Sequence, residues 1–403
     1  MSEATPRPAI ATKLPANVRA LGAVSFLTDA SSEMIYPLLP LFLSTTLGAS
    51  ASTVGAIEGA AESTSALLKL ASGWWSDRAR SRKPLVVGGY VLASAVRPLV
   101  ALAQTSGHVL AIRLADRVGK GIRTAPRDAL IADSVDASVR GRAFGFHRAA
   151  DHAGAVAGPL IAFALLQWLH LPLRTVFALA AIPAALAVLV LITGVRDVPR
   201  PAQPAATSPD LSQKLGRRFW LFLAAVLLFT LGNSTDAFLL LRAQQLGVAP
   251  ALIPLLWAML HVVKSASSTP GGTLSDRIGR KPLIVAGWLL YAAVYLAFGR
   301  ASVAWHAWAL FAAYGIFFGL TEGVEKALVA DIVPADRRGA AFGWYNLAIG
   351  LGALPASLLF GMVWDRAGSA AAFALGAALA LAAGVAIAIV VPPGTASRAR
   401  RTA

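Results

Sequence analysis

The residues of this chain that could do chemistry are ionisable side chains set within long apolar runs. Residues 112 to 133, IRLADRVGKGIRTAPRDALIAD, carry Arg113, Asp116, Arg117, Lys120, Arg123, Arg127 and Asp128. Arg113, Arg117, Lys120 and Arg127 follow one another at helical steps, which puts them on one face of a helix. Asp29 and Glu33 lie one helical turn apart, as do Glu58 and Glu62. All but Glu58 are expected near mid-depth, where they can balance the basic stripe. A charge in hydrocarbon is costly, so such groups face water or pair with one another. Their chemistry is therefore electrostatic: holding an anionic or zwitterionic small molecule and exchanging protons. The plainer reading is that they are structural pairs joining helices one, two and four, with Lys120 serving Asp116 one turn earlier.

Further candidates are His147, Arg148 and Asp151, which cluster with His152 within two turns, and Asp236, His261 and Lys264. Glu322, Glu325 and Lys326 sit in the stretch that corresponds to residues 112 to 133. The His147 and Asp151 pair suits proton handling, whereas a single histidine such as His261 more often serves packing. No His-x-x-x-His or Glu-x-x-His pattern is present to hold a metal. Gly119-Lys120 lacks the upstream glycine and the following Ser or Thr of a phosphate loop. No nucleophile constellation stands out either, so the chain reads as a non-enzyme for which no cofactor is implied.

The elements that position these groups must be membrane helices. Hydrophobic residues make up 57% of the 403 and charged residues 14%, with mean hydropathy +0.64. About 20 apolar residues cross a bilayer, and twelve such segments centre near residues 32, 63, 94, 120, 156, 184, 231, 262, 290, 317, 352 and 380. Short alternating strands, the mark of a membrane barrel, are missing. The expected fold is an all-α membrane protein of 12 transmembrane helices.

A repeat divides them. GWWSDRARSRKP at residues 73 to 84 returns as GTLSDRIGRKP at 272 to 282, and Asp133 and Asp331 are 198 residues apart. This makes two pseudo-symmetric six-helix halves, residues 19–195 and 219–391. An arm (1–18), a proline-rich linker (196–218) and a tail (392–403) complete the expected organisation. The arm lacks a signal peptide's apolar core, so the first span is expected to be retained. The arms, linker and turns on one side, together with Arg19, hold 22 of the 36 Lys and Arg residues, and the opposite loops hold three. The positive-inside rule then puts both termini and the linker in the cytoplasm of a cell (inner) membrane. This bias accounts for most of the net charge of +16, and nucleic-acid binding is not needed to explain it.

These features resemble the major facilitator superfamily over essentially the whole chain. Its loop signature is similar to Gly73, Asp77, Arg78, Arg82 and Lys83, and in the second half to Gly272, Asp276, Arg277, Arg280 and Lys281. The resemblance implies that Asp77 meets the end of a helix of the other half and that the loop latches the inner side in the outward-open state. Arg113 with Gly119 and Gly121 is similar to a helix-four motif of proton-coupled members, although Arg117 stands where a small residue is usual. Gly145, Gly154 and Gly158-Pro159 resemble the antiporter signature of exporters, in which small residues allow close helix contact and proline bends the helix. The family implies a monomeric secondary transporter in a lipid bilayer, with a small-molecule substrate and protons as coupling ion. Export of a drug, siderophore or acidic metabolite is the leading reading. Import of a metabolite or sugar, or transport of iron or another metal species, are the alternatives.

Reporter fusions are expected to place Ala206 and both termini in the cytoplasm and the loops near Ser50 and Ser106 outside; an external Ala206 overturns the orientation. Asp77→Asn is expected to cut transport strongly while membrane insertion, measured by fluorescence of a fused reporter, stays intact.

Overall fold

A computed structural model describes residues 14–79, 81–136, 139–197, 215–334 and 337–390, apart from the side chains of Trp74, Asp77, Arg78, Gly141 and Val390. Most of the linker and both terminal arms lie outside these residues, and so do the side chains of Asp77 and Arg78.

The described residues form twelve helical segments. The first, α1, covers residues 16–46 and passes from an α-helix (Ala16–Ile35) through a 3-10 turn (Tyr36–Leu38) to a π-helical turn (Phe42–Thr46). Pro37 and Pro40 lack the amide hydrogens that regular helix bonding needs there. Then follow α2 (Ala51–Arg78), α3 (Lys83–Leu102), α4 (Ser106–Asp133), α5 (Arg140–Gln167) and α6 (Leu173–Gly194). The second half has α7 (Arg217–Gln245), α8 (Pro250–Ile278), α9 (Arg280–Arg300) and α10 (Ala304–Ile332). Its last two helices, α11 and α12, are the arms of Arg338–Val390 on either side of Gly368, whose φ of 85° only glycine adopts readily. Among the described residues eight stretches are long and apolar enough to cross a membrane, the last containing both α11 and α12. Those rich in ionisable residues, α1, α2 and α4, are not among them.

The sequence repeat is also a repeat of bonds. Arg82 pairs with Asp133, and 198 residues later Arg280 Nε lies 3.4 Å from Asp331. Lys83 Nζ donates to the Ile192 carbonyl at 3.0 Å, and Lys281 Nζ to that of Ala388 at 2.6 Å. Even the helix caps recur, since His108 Nδ1 accepts from Gln104 N at 3.3 Å and His306 Nδ1 from Ser302 N at 3.2 Å. In each half the basic turn is thereby tied to the ends of the fourth and sixth helices of that half.

Within the first half α1 packs on α5, and α2 and α3 pack on α4; α8 and α9 pack on α10 in the second. Close approach of α1 and α5 depends on two glycines of the spaced set. A Cβ on Gly154 would lie 2.3 Å from the Phe26 carbonyl oxygen, and one on Gly158 2.4 Å from that of Ala30. Gly145 does not share this role, because its missing side chain would meet open space. Gly272 is equally open, and Gly73 makes only ordinary contact with Ala125.

The two halves meet through α2 against α11 and α5 against α8. Ser63 Oγ donates to the Gly350 carbonyl at 2.6 Å, and Gly55 and Gly59 abut Ser357 and Leu354. These contacts occupy the parts of α2 and α11 remote from the face that carries the termini. Toward the terminal face, Arg148, Glu322 and Lys326 are exposed in mid-helix. A shallow, mostly apolar cleft of about 700 Å³ runs along α5 and α8 at mid-helix, between His152 and Leu160 on one side and Val262 and Ala266 on the other. Among the described residues the molecule is closed at one face and open at the terminal one.

Gly154→Leu and Gly158→Leu are expected to lower stability by about 1–3 kcal/mol through overpacking of α1 against α5, read as an earlier thermal transition in detergent. Gly145→Leu is expected to melt like the unmodified protein.

Candidate functional site

The charges of α4 divide into two sets. Arg113 grips Glu58 with two parallel bonds, Nε to Oε1 at 2.9 Å and Nη2 to Oε2 at 2.5 Å. Its Nη1 also lies 3.7 Å from Asp116, whose Oδ1 accepts from Arg97 Nε at 3.1 Å and Nη2 at 2.9 Å. Arg97 Nη1 continues to the Thr28 carbonyl and Ser31 Oγ, both at 3.2 Å. Glu58, Arg97, Arg113 and Asp116 are all buried, so this chain of charge-assisted bonds fastens α1, α2, α3 and α4 together. Arg123 is buried with its guanidinium 4.2 Å from the Tyr90 ring centre, and Arg127 pairs with the adjacent Asp128 at 2.8 Å.

Arg117 and Lys120 form the second set. Half-buried on α4, their side chains make neither a hydrogen bond nor an ion pair among the described residues. The charges around Lys120 are Arg117, Glu62, Lys69 and Asp29; those around Glu62 are Arg117, Lys120, Lys69 and Arg113. Asp29 faces Asp151, Lys120, Glu33 and Arg123. Glu62, one turn past Glu58, is exposed, and Asp29 is half-buried. Asp29, Glu62, Lys69, Arg117 and Lys120 thus form a facing group of opposite charges without direct contacts, from helices α1, α2 and α4.

The structure adds a partner and removes an alternative. Glu58, left out of the carboxylates expected to balance the stripe, is the partner of Arg113. Lys120 is not the partner of Asp116, because Arg97 from α3 reaches that carboxylate first. One face of α4 therefore carries two environments: Arg113 is bonded among neighbouring helices, and Arg117 and Lys120 lie near Asp29 of α1 and Glu62 of α2 without bonding to them.

The remaining candidates are held locally. Asp151 accepts from Ser25 and lies 3.8 Å from His147 and 3.3 Å from Arg148. On α8, Lys264 pairs with Glu322 at 3.0 Å and covers the Phe318 ring, and Lys326 reaches Glu322 at 3.5 Å. His261 packs edge-on against Trp257. Glu325 accepts from Trp288 Nε1 at 2.9 Å and Tyr345 OH at 2.7 Å. Asp236 accepts from Tyr314 OH at 2.6 Å, where α7 loses helical form at residues 233–235. One candidate crosses between the halves, Glu33, which accepts from Trp257 Nε1 at 2.7 Å. Of the loop residues, Asp276 pairs with Arg280 of its own half at 2.5 Å, and Arg277 is exposed.

The matching positions of the second half carry no such ions. Tyr295 and Tyr314 stand 198 residues beyond Arg97 and Asp116, and Phe311 beyond Arg113. Tyr291, Tyr295, Tyr314 and Phe317 stack as a fully buried or nearly fully buried aromatic cluster. The scaffold therefore tolerates either kind of core at this place.

Sequence reasoning overlooked Glu58, Arg97 and Trp257 as partners. Arg97 carried a signal, being an arginine inside an apolar segment; Trp257 carried none.

A family model described as Major Facilitator Superfamily matches residues 21–262 and 221–403. An uncharacterized MFS-type transporter of Methanocaldococcus jannaschii is 35% identical over 358 residues, covering 87% of this chain and 89% of that one. The multidrug resistance protein MdtH of Citrobacter koseri is 28% identical over 115 residues, 28% of this chain and 29% of its own. Among solved structures, an inward-facing, unoccupied bacterial homologue of the human lysosomal transporter Spinster superposes with TM-score 0.71 at 18% identity, covering 94% of this chain and 96% of that one. With its two six-helix halves, the family-model match and the relative that covers 87% of it, the chain belongs to the major facilitator superfamily, as a membrane-embedded transporter and not an enzyme.

Proposed function

We propose that this transporter exports a small anionic or zwitterionic organic compound in exchange for protons, by alternating access between the halves 19–195 and 219–391. The observation that carries this reading is the second charge set. Nearly every other charge of α4 is bonded or stacked, whereas Arg117 and Lys120 lie near Asp29 and Glu62 without direct contact among the described residues. Two cations held near two carboxylates without contact suit exchange: a carboxylate, sulfonate or phosphate of the substrate takes the cations in one state, and protonation of Asp29 or Glu62 weakens their pull on α4 and favours the other state. Because substrate and proton favour opposite states, each loosens the binding of the other, which is the coupling an antiporter requires. Export is supported by the partial likeness to the multidrug resistance protein and by the Gly154 and Gly158 contacts of α5. With the termini placed in the cytoplasm of the inner membrane by their basic bias, the open face is the inward one. The substrate then enters past Arg148, Lys264 and Glu322 toward a site near mid-membrane, the usual place for such folds.

Arg117→Gln and Lys120→Gln are each expected to weaken substrate binding roughly tenfold or more while leaving thermal stability close to that of the parent. Arg113→Gln or Glu58→Gln, each of which strands a buried charge, is expected to cost about 3–5 kcal/mol of stability instead. Substrate-induced stabilisation of purified protein and uptake into inside-out vesicles separate the two effects. Asp29→Asn and Glu62→Gln are expected to flatten the pH dependence of uptake. Uptake that ignores an imposed pH gradient overturns proton coupling, and normal binding by both Gln variants of α4 overturns the site.

A further inference from the structure

The closed face of the molecule is held by one carboxylate that no part of the proposed transport site uses. Asp365 lies near the end of α11, in the second half, and its two oxygens accept from the first two amides of α2, in the first half: Oδ1 from Ala51 N and Oδ2 from Ser52 N, each at 2.9 Å. The third amide, Thr53 N, is taken by the α2 cap Ser50 Oγ at 3.2 Å. A helix N-terminus presents unsatisfied amides and partial positive charge, and a carboxylate satisfies both needs. The backbones meet here as well, since a Cβ on Gly361 would lie 2.6 Å from Ser52 Cα. The matching place between α5 and α8 has no such bond: Gln167, 198 residues before Asp365, makes no side-chain hydrogen bond among the described residues.

We propose that Asp365 is the latch of the face opposite the termini, a gating residue that holds α11 on α2 while the terminal face is open. The two bonds join different halves, so they exist only while that face is shut. When the halves rock, both amides and the carboxylate pass to water, and the difference biases the equilibrium between the two states. This rests on the alternating-access reading above, but not on any identity of substrate or coupling ion. It also places a carboxylate and helix-end contact at the face opposite the Asp77 turn.

The test is a distance measurement that needs no substrate. The chain has no cysteine, so Gln104→Cys and Ser302→Cys, two exposed equivalent positions at the closed face, accept spin labels without background. In this labelled protein Asp365→Asn is expected to lower the ratio of short to long separations roughly fivefold. Ala51→Pro removes one of the two amides while leaving Asp365 in place; Ser50 is already extended, as a residue before proline must be. It is expected to shift the ratio in the same direction, and the double variant no further than Asp365→Asn alone. Unchanged distributions in both single variants, beside a parent that samples both separations, overturn the latch alone. A single separation in the parent and every variant, at all pH values tried, overturns the latch together with alternating access.

Discussion

Buried charge in this molecule has to be answered by another charge, and the four-residue chain Glu58–Arg113–Asp116–Arg97 is the answer on which the first half depends. Its members come from α2, α3 and α4, and its end bonds to α1, so the arrangement of those helices follows from where two guanidinium groups find acceptors. Each bond is charge-assisted and dry, and losing any one member leaves its neighbour stranded. Such a chain gives up freedom for definition. It holds α4 so that Arg117 and Lys120, one and two turns further on, come near Asp29 and Glu62.

The second half shows that the fold itself does not ask for ions. Tyr295, Tyr314 and Phe311 occupy the positions of Arg97, Asp116 and Arg113, and tilted and edge-on ring contacts do the holding. Apolar packing of this kind is commonly as stable as a buried ion pair or more so. Ions in the first half are therefore better explained by what lies beside them: a core already polar can set further charges at its edge. Asp236, accepting from Tyr314, is the point where the aromatic half turns polar, beside the break in α7.

The contacts between halves are of another kind. Apart from the Glu33 and Trp257 bond, those described are close backbone approaches at glycine and serine, together with the Asp365 cap, gathered toward one end of α2 and α11. At the terminal end the basic turns bond within their own halves, Arg82 to Asp133 and Arg280 to Asp331. Among the described residues each half is internally bonded and the seam is only lightly bonded, which is the distribution a pair of rocking bodies needs.

How much of this was legible in the sequence follows from the range of the forces involved. Hydropathy and the 198-residue repeat are local or additive, and they determined the twelve helices, the two halves and the equivalence of the Lys-Arg turns. The cost of charge in hydrocarbon likewise singled out α4 without any coordinates. Which of its charges are compensated is a different question, because Glu58, Arg97 and Arg113 come from three helices whose rotation about their own axes no spacing rule supplies. Tertiary packing alone decided that Arg113 is bonded while Arg117, one turn away, is not. Gly145 and Gly154 look alike in the sequence for the same reason: whether a neighbouring backbone stands 2.3 Å from a missing Cβ, as at Gly154, depends on another helix. The closed face was illegible too, since an exposed aspartate near a helix end becomes a latch only when a second helix begins beside it.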